Sequence, residues 1–321
     1  MFKTRVTEIL GIEHPLIVGT MGSLTFGEFV AAVAEAGAFC CIPSVFFDDK
    51  DGLRDDIRKA KNLTDKPFGV NVNLFPSVRK SSNEDLIDVC IEEGVKVIET
   101  SGRSPKAFVE KIKGAGMVHM HKCARARDAV SAEKAGVDLV EIVGTECGGH
   151  PSMENISTTV LLPRTVDLVD IPVIGGGGFG DARGFIACLA LGAEGVLMGT
   201  RFMLTKECGL PDIYKNAFAE APETSTEIIQ RSIGNPSRVF KNKAAERVLE
   251  AESQGANLEE LMPLIRGDKS RAAIQAGDLD NGIIACGQVT GIMNDIPTIK
   301  EAVDCIINGA REVYDKINFT R

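Results

Sequence analysis

The sequence predicts an α/β chain folded as a TIM-type (β/α)8 barrel with a smaller helical insertion or cap domain. Two observations carry this expectation. Over the first two-thirds of the chain, eight short apolar runs alternate with amphipathic stretches of helical period, the order a parallel barrel requires. Glycine follows several of the helical stretches, at Gly37, Gly94, Gly114, Gly136 and Gly192, where helices commonly end. A doubly wound open sheet is the alternative use of the same alternation.

Taken in order, strands are expected over residues 15–19, 39–44, 68–73, 95–100, 117–123, 139–143, 172–175 and 196–199. Helices are expected between them over 24–36, 53–61, 83–93, 105–113, 124–135 and 182–191. After about Thr205 the pattern changes to charged, mostly helical sequence with no strand of comparable strength. The barrel is therefore assigned to 1–205 and 282–321, and the helical insertion to 206–281. Residues 282–289 read as a return to the barrel mouth, and Ile299–Ile317 as a closing helix.

Bulk properties narrow the function. A chain of 321 residues with 44% hydrophobic and 25% charged residues has the composition of an ordinary globular protein. A formal charge of −9 argues against nonspecific nucleic-acid binding, which needs a basic face. No apolar run approaches the roughly 18 residues of a membrane span, and Met1-Phe2-Lys3-Thr4-Arg5 does not open a secretory signal. The nine cysteines form no CxxC pair, which fits reduced thiols and a cytoplasmic location. The expected partner is a small-molecule substrate, with the oligomeric state left open.

Barrel chemistry gathers at the C-terminal ends of the strands. The first strand ends in Gly19-Thr20-Met21-Gly22, the third carries Asn71 and Asn73, and the fifth ends at Lys122. The sixth runs into Gly144-Thr145-Glu146-Cys147-Gly148-Gly149-His150. There the paired glycines allow close backbone approach and the imidazole titrates near neutrality, as a general acid or base must. Gly177, Gly178, Gly199 and Thr200 follow the last two strands, where barrels commonly hold a phosphate on main-chain amides. Gly175–Gly178 is not GxGxxG, and no ribose-binding acid stands at the expected distance, so a Rossmann site is disfavoured. Lys122 reads either as a snorkelling lysine or as a cofactor contact. His119 and His121 alternate onto one strand face without further ligands at metal spacing, so no metal is expected. Cys147 lacks an orienting partner for a thiol nucleophile.

These motifs together resemble the nitronate monooxygenase (2-nitropropane dioxygenase) family of FMN-dependent barrels. That family also includes NADH:quinone reductases and flavin-type enoyl-ACP reductases. The resemblance rests on His14-Pro15, Phe68-Gly69-Val70-Asn71, His121-Lys122-Cys123, Glu146-Cys147-Gly148-Gly149-His150-Pro151 and Leu161-Leu162-Pro163. It continues through Gly177-Gly178-Phe179, Ala190-Leu191-Gly192-Ala193, Met198-Gly199-Thr200-Arg201-Phe202, Gly277-Asp278 and Gly287-Gln288. It implies FMN with its phosphate against Gly177, Gly178, Gly199 and Thr200. It places the ring near Thr20, Met21, Gly22, Asn73, Lys122 and Gln288, and makes His150 the active-site histidine. The implied activity is oxidation of alkyl nitronates. The alternatives are NADH- or NADPH-dependent reduction of a quinone or enoyl thioester, and a barrel that binds a phosphorylated metabolite without redox chemistry. Two departures stand out: the run Val18-Gly19-Thr20-Met21, and Val143, where some relatives place an acid near the flavin.

Overall fold

A computed structural model of the chain describes residues 2–75 and 80–317. Eight parallel strands close into a barrel in chain order: β1 (Leu16–Val18), β2 (Phe39–Pro43), β3 (Gly69–Asn73), β4 (Val97–Ser101), β5 (Val118–Cys123), β6 (Leu139–Val143), β7 (Val173–Gly176) and β8 (Gly195–Met198). The ring shuts where Ile17 pairs with Leu197. This is the (β/α)8 architecture, and the open-sheet alternative is excluded by that closure.

A short helix, α1 (Arg5–Leu10), precedes the barrel; α2 (Gly27–Glu35), α3 (Lys50–Leu63), α4 (Asn83–Glu92), α5 (Lys106–Gly114), α6 (Ala126–Ala135), α7 (Thr158–Val166) and α8 (Ala182–Ala190) follow successive strands. Two of these helices lay outside the sequence expectation. The first, α1, is capped by Thr4 and buries Val6 and Leu10 beneath the barrel with Ile17, Phe39, Val97, Met120, Leu139 and Ile174. The other, α7, opens on β-branched Thr158, Thr159 and Val160 and holds Pro163 inside it. Both features lower helix propensity, so tertiary packing of Leu161 and Leu162 decides the outcome.

After β8 come α9 (Thr200–Met203) and α10 (Asp212–Ala219), then an antiparallel hairpin of β9 (Thr226–Ile229) and β10 (Ser237–Phe240). It is followed by α11 (Lys243–Ser253), α12 (Leu258–Ile265) and α13 (Gly267–Gln275), and the chain ends with α14 (Ile299–Ile317) against α8. The hairpin stands within the segment 206–281, where the sequence predicts mostly helix and no strand of comparable strength. Its strands are only four residues long, and the loop between them carries the turn residues Gly234, Asn235 and Pro236, which interrupt any strand pattern. A small core of Ile229, Val239, Ala245, Val248 and Leu261 holds hairpin and helices together. Among the described residues no helix is long and apolar enough to cross a membrane.

Strand alternation sorts the barrel side chains. Outward residues such as Val140 and Ile142 pack under the helices, and inward ones such as Leu139 and Val143 fill the barrel. Above the lowest inward layer hydrocarbon gives way to Asn71, Glu99, Lys122 and Glu141. That change marks the floor of the site.

Candidate active site

The C-terminal ends of the strands open into a cavity of about 1550 Å³. Thr20, Met21, Gly22, Asn73, Lys122, Gly148, His150, Gly177, Gly178, Gly199 and Thr200 all line it. Gln288 does not. Its main-chain NH donates to the Glu146 carbonyl (3.1 Å), while its side chain is exposed and its neighbours Gly287 and Val289 face the cavity. The 282–289 return thus meets the mouth through backbone. The Gly287 NH donates to Thr200 Oγ1 (2.9 Å), and a Cβ on Gly148 would stand 2.9 Å from main-chain atoms of Cys286 and Gly287.

The loop after β6 is built to hold His150. The Glu146 carboxylate accepts from the Thr158 NH (3.0 Å) and Oγ1 (2.9 Å), fixing the loop to the start of α7. Gly149 exchanges two main-chain hydrogen bonds with Arg238 of β10, and the Arg238 guanidinium donates to the Thr145 carbonyl (2.9 Å) and Thr226 Oγ1 (3.1 Å). The carbonyl of Pro236, just before β10, lies 3.0 Å from His150 Nδ1. A carbonyl only accepts, so Nδ1 carries the proton and Nε2 keeps a lone pair. Surrounding protein lowers the imidazole pKa, the Pro236 carbonyl opposing that in part. At neutral pH the ring is therefore a neutral proton acceptor.

Beneath the cavity lies a triad that sequence reading missed. Lys122 Nζ sits 2.6 Å from Glu99 Oε1 and 3.0 Å from Glu141 Oε2; both carboxylates are sealed from solvent, and the lysine reaches toward the cavity. The lysine therefore does not snorkel outward. Burial opposes ionisation of Glu99, but the charge of Lys122 and hydrogen bonds from Lys122, Thr20 (2.7 Å) and Asn71 hold its pKa low. Burial and the charge of Glu99 push Glu141 up to about 7, against the pull of Lys122. Burial works against the Lys122 cation too, and the two carboxylates more than offset it. The signal in the sequence was one acid at an inward position of each of two apolar strands, Val97–Ser101 and Leu139–Val143.

His119 and His121 lie on the outward face of β5, and His121 also borders the cavity. Their rings share Thr100 Oγ1 at 2.8 Å each, and burial lowers both pKa values to about 4. The hydroxyl bridges two neutral rings, which explains the alternation by hydrogen bonding. Cys147 is half-buried at the cavity wall, and burial pushes its thiol up to about 12, far from a thiolate at neutral pH.

With this geometry in place, comparison decides the kinship. The nitronate monooxygenase family model matches residues 3–309. The chain belongs to the nitronate monooxygenase family. One relative is a (3aS,4S,5R,7aS)-5-hydroxy-7a-methyl-1-oxo-octahydro-1H-indene-4-carboxyl-CoA dehydrogenase of Rhodococcus jostii (strain RHA1), 32% identical with 99% of each chain covered. A probable nitronate monooxygenase of Staphylococcus saprophyticus is 31% identical over 78% of this chain and 82% of its own. Among solved structures, FabK from Thermotoga maritima superposes with a TM-score of 0.90 at 33% identity, with 99% of each chain covered. A nitroalkane oxidase from Streptomyces ansochromogenes, 23% identical, shares the fold with a TM-score of 0.81 over 98% of this chain and all of its own. Family membership makes this chain an oxidoreductase of a group that is in general flavin-dependent.

Proposed function

We propose that the protein is an FMN-dependent oxidoreductase acting at the Cα–Cβ bond of a large acyl thioester. The observation that carries this reading is the size of the cavity. At about 1550 Å³ it exceeds the roughly 300–1,000 Å³ of a typical single-ligand pocket, leaving room beside a flavin for far more than a small nitronate. Arg103, Arg125, Arg127 and Arg271 line the same cavity; Arg125 pairs with Asp128 and Arg127 with Glu154, while Arg103 and Arg271 pair with no acid among the described residues. Such a rim suits the phosphate of a phosphopantetheine arm. The relatives covering 99% of this chain, a carboxyl-CoA dehydrogenase and FabK, favour the same substrate class.

The residues present fit FMN. Gly177 and Gly178 adopt φ of +96° and +79° at the cavity wall, and their amides donate to nothing among the described residues. Successive free amides of this kind form a phosphate nest, with Gly199 and Thr200 beside it. Thr20, Met21, Gly22, Asn73 and Lys122 are the residues to hold the ring. Replacing Gly177 by alanine forces a side chain into left-handed backbone and sets its Cβ 2.8 Å from Thr158 Oγ1. Gly177→Ala is expected to cost roughly 1–3 kcal/mol and to lose FMN on gel filtration. Unchanged Tm and flavin content would refute the phosphate assignment.

When bound, FMN supplies hydride transfer. The chain supplies the proton chemistry: neutral His150, with Nε2 free, accepts the proton α to the thioester carbonyl, and in the reverse direction returns it. Lys122 would provide positive charge at the cavity floor to a group bound there. NADH or NADPH is the candidate reductant if the physiological direction is reduction of an enoyl thioester.

Nitronate oxidation is the second reading, favoured by the probable nitronate monooxygenase relatives. Anaerobic mixing separates the two. Flavin bleaching by a saturated acyl-CoA, or by NADH with turnover of an enoyl-CoA, is expected. Bleaching by an alkyl nitronate alone would overturn the thioester reading. A chain that stays colourless after incubation with FMN would overturn the flavin itself.

A further inference from the structure

We propose that Glu141 is the charge-balancing group of this site: it takes up one proton from solvent when negative charge arrives in the cavity beside Lys122, leaving the ammonium free to face that charge. The proposal rests on the flavin reading above and adds to it a role for a residue that touches neither flavin nor substrate.

The geometry makes the two acids unequal. Glu99 pairs with the ammonium at 2.6 Å through Oε1 and accepts from the Thr20 hydroxyl at 2.7 Å through Oε2. Glu141 has only the ammonium, at 3.0 Å, and no other donor among the described residues reaches either of its oxygens. Two carboxylates and one cation carry a net negative charge in a sealed barrel floor, and an underpartnered buried carboxylate is the member that protonates. A proton on Glu141 also has an acceptor at hand, because its carboxyl can donate to Glu99.

The groups that face Glu141 leave no other candidate for the proton. They are Glu99 on β4, Lys122 on β5 and the buried Cys41 on β2, whose thiol burial holds neutral. Its register partner on β7 is apolar Ile174. Burial and Glu99 place the Glu141 titration near neutrality, where the switch is usable.

The position of the acid gives the device its character. Val143 lines the cavity, and Glu141 lies two residues earlier on the same inward face of β6, one side-chain layer deeper. The acid of β6 thus lies one layer below the cavity wall, at which the same face presents Val143. Of the three charged groups, only Lys122 borders the cavity. An added anion above the ammonium weakens its hold on Glu141, and protonation then restores neutrality below. Lys122 is the link through which cavity charge and the Glu141 proton communicate.

Two measurements on the full chain test this. Infrared difference spectra between about pH 5.5 and pH 8.5, with and without FMN, should show a protonated-carboxyl C=O band that Glu141→Gln abolishes and that Glu99→Gln moves to lower pH, because the Glu99 charge helps raise Glu141. Reduction by dithionite in weak buffer near pH 8 delivers two electrons to FMN. After the protons released as dithionite is oxidised to sulfite are subtracted with a free-FMN control, wild type should take up one proton at the flavin and close to one more at Glu141, and Glu141→Gln only the first. A band that survives Glu141→Gln, or equal proton uptake by both proteins, overturns the proposal. Failure to bind FMN defeats the flavin reading alone, since the infrared band still reports whether Glu141 holds the proton.

Discussion

Lys122→Met is expected to destabilise the protein by about 3–5 kcal/mol near pH 8, the cost of breaking a buried ion pair by removing one partner. Methionine fills much of the lysine's volume, so packing loss is small and the electrostatic change dominates. With the ammonium gone, Glu99 and Glu141 face each other in the barrel floor with Thr20 and Asn71 as their remaining donors. The pH dependence identifies the cause. Lys122 has a folded pKa raised above its unfolded value, so its stabilisation is complete below the unfolded lysine pKa and disappears only as pH rises through the folded one. Near neutrality the wild-type lysine therefore contributes in full. In the variant both carboxyls lack their cation and have raised folded pKa values, so stability is lost as pH rises and recovered as the acids protonate. Denaturant midpoints followed by circular dichroism should show a deficit near pH 8 that shrinks toward pH 5. A deficit that does not change with pH would show that the loss is one of packing, and Lys122→Met/Glu141→Gln should recover part of it if charge is the cause.

This triad also shows where the sequence stops being readable. The barrel itself was legible because most strand residues are apolar and glycine marks the helix ends. The predicted strand over 139–143 and the closing helix coincide with β6 and α14. Most candidate site residues could be located by one rule, that chemistry sits after the C-terminal ends of strands. Glu99 and Glu141 fell outside that rule because they lie within strands. Their meaning depends on register, which sets Asn71 beside Glu99 and Lys122 beside Glu141 across neighbouring strands. Pro236 and Arg238 were hidden for another reason: they reach the loop of His150 across more than 80 residues, through a hairpin too short to announce itself. Gln288 shows the converse, a residue in the right segment whose main chain does the contacting.

His150→Ala is expected to slow turnover by about 10²–10⁴-fold while leaving flavin content and Tm close to wild type. The separation follows from what the ring touches. It makes one hydrogen bond to the chain, to the Pro236 carbonyl, and that carbonyl is open to water at the cavity wall once the ring is gone. The loop stays in place through Glu146 with Thr158 and Gly149 with Arg238, none of which involves the imidazole. The pH profile carries the chemical assignment. A proton acceptor works when deprotonated, so wild-type kcat/KM should fall as pH drops through the His150 pKa. Desolvation by the surrounding cavity walls sets that limb below the usual imidazole value, even though the ring is exposed at the mouth, and His150→Ala should erase it. His150→Gln sharpens the test, since its side-chain amide can still donate to Pro236 but has no basic nitrogen. If the glutamine variant restores the rate, the histidine only orients substrate or loop. If both variants are slow and both lose the acid limb, Nε2 is the proton acceptor, and the hairpin that holds Nδ1 belongs to the catalytic apparatus as much as the barrel does.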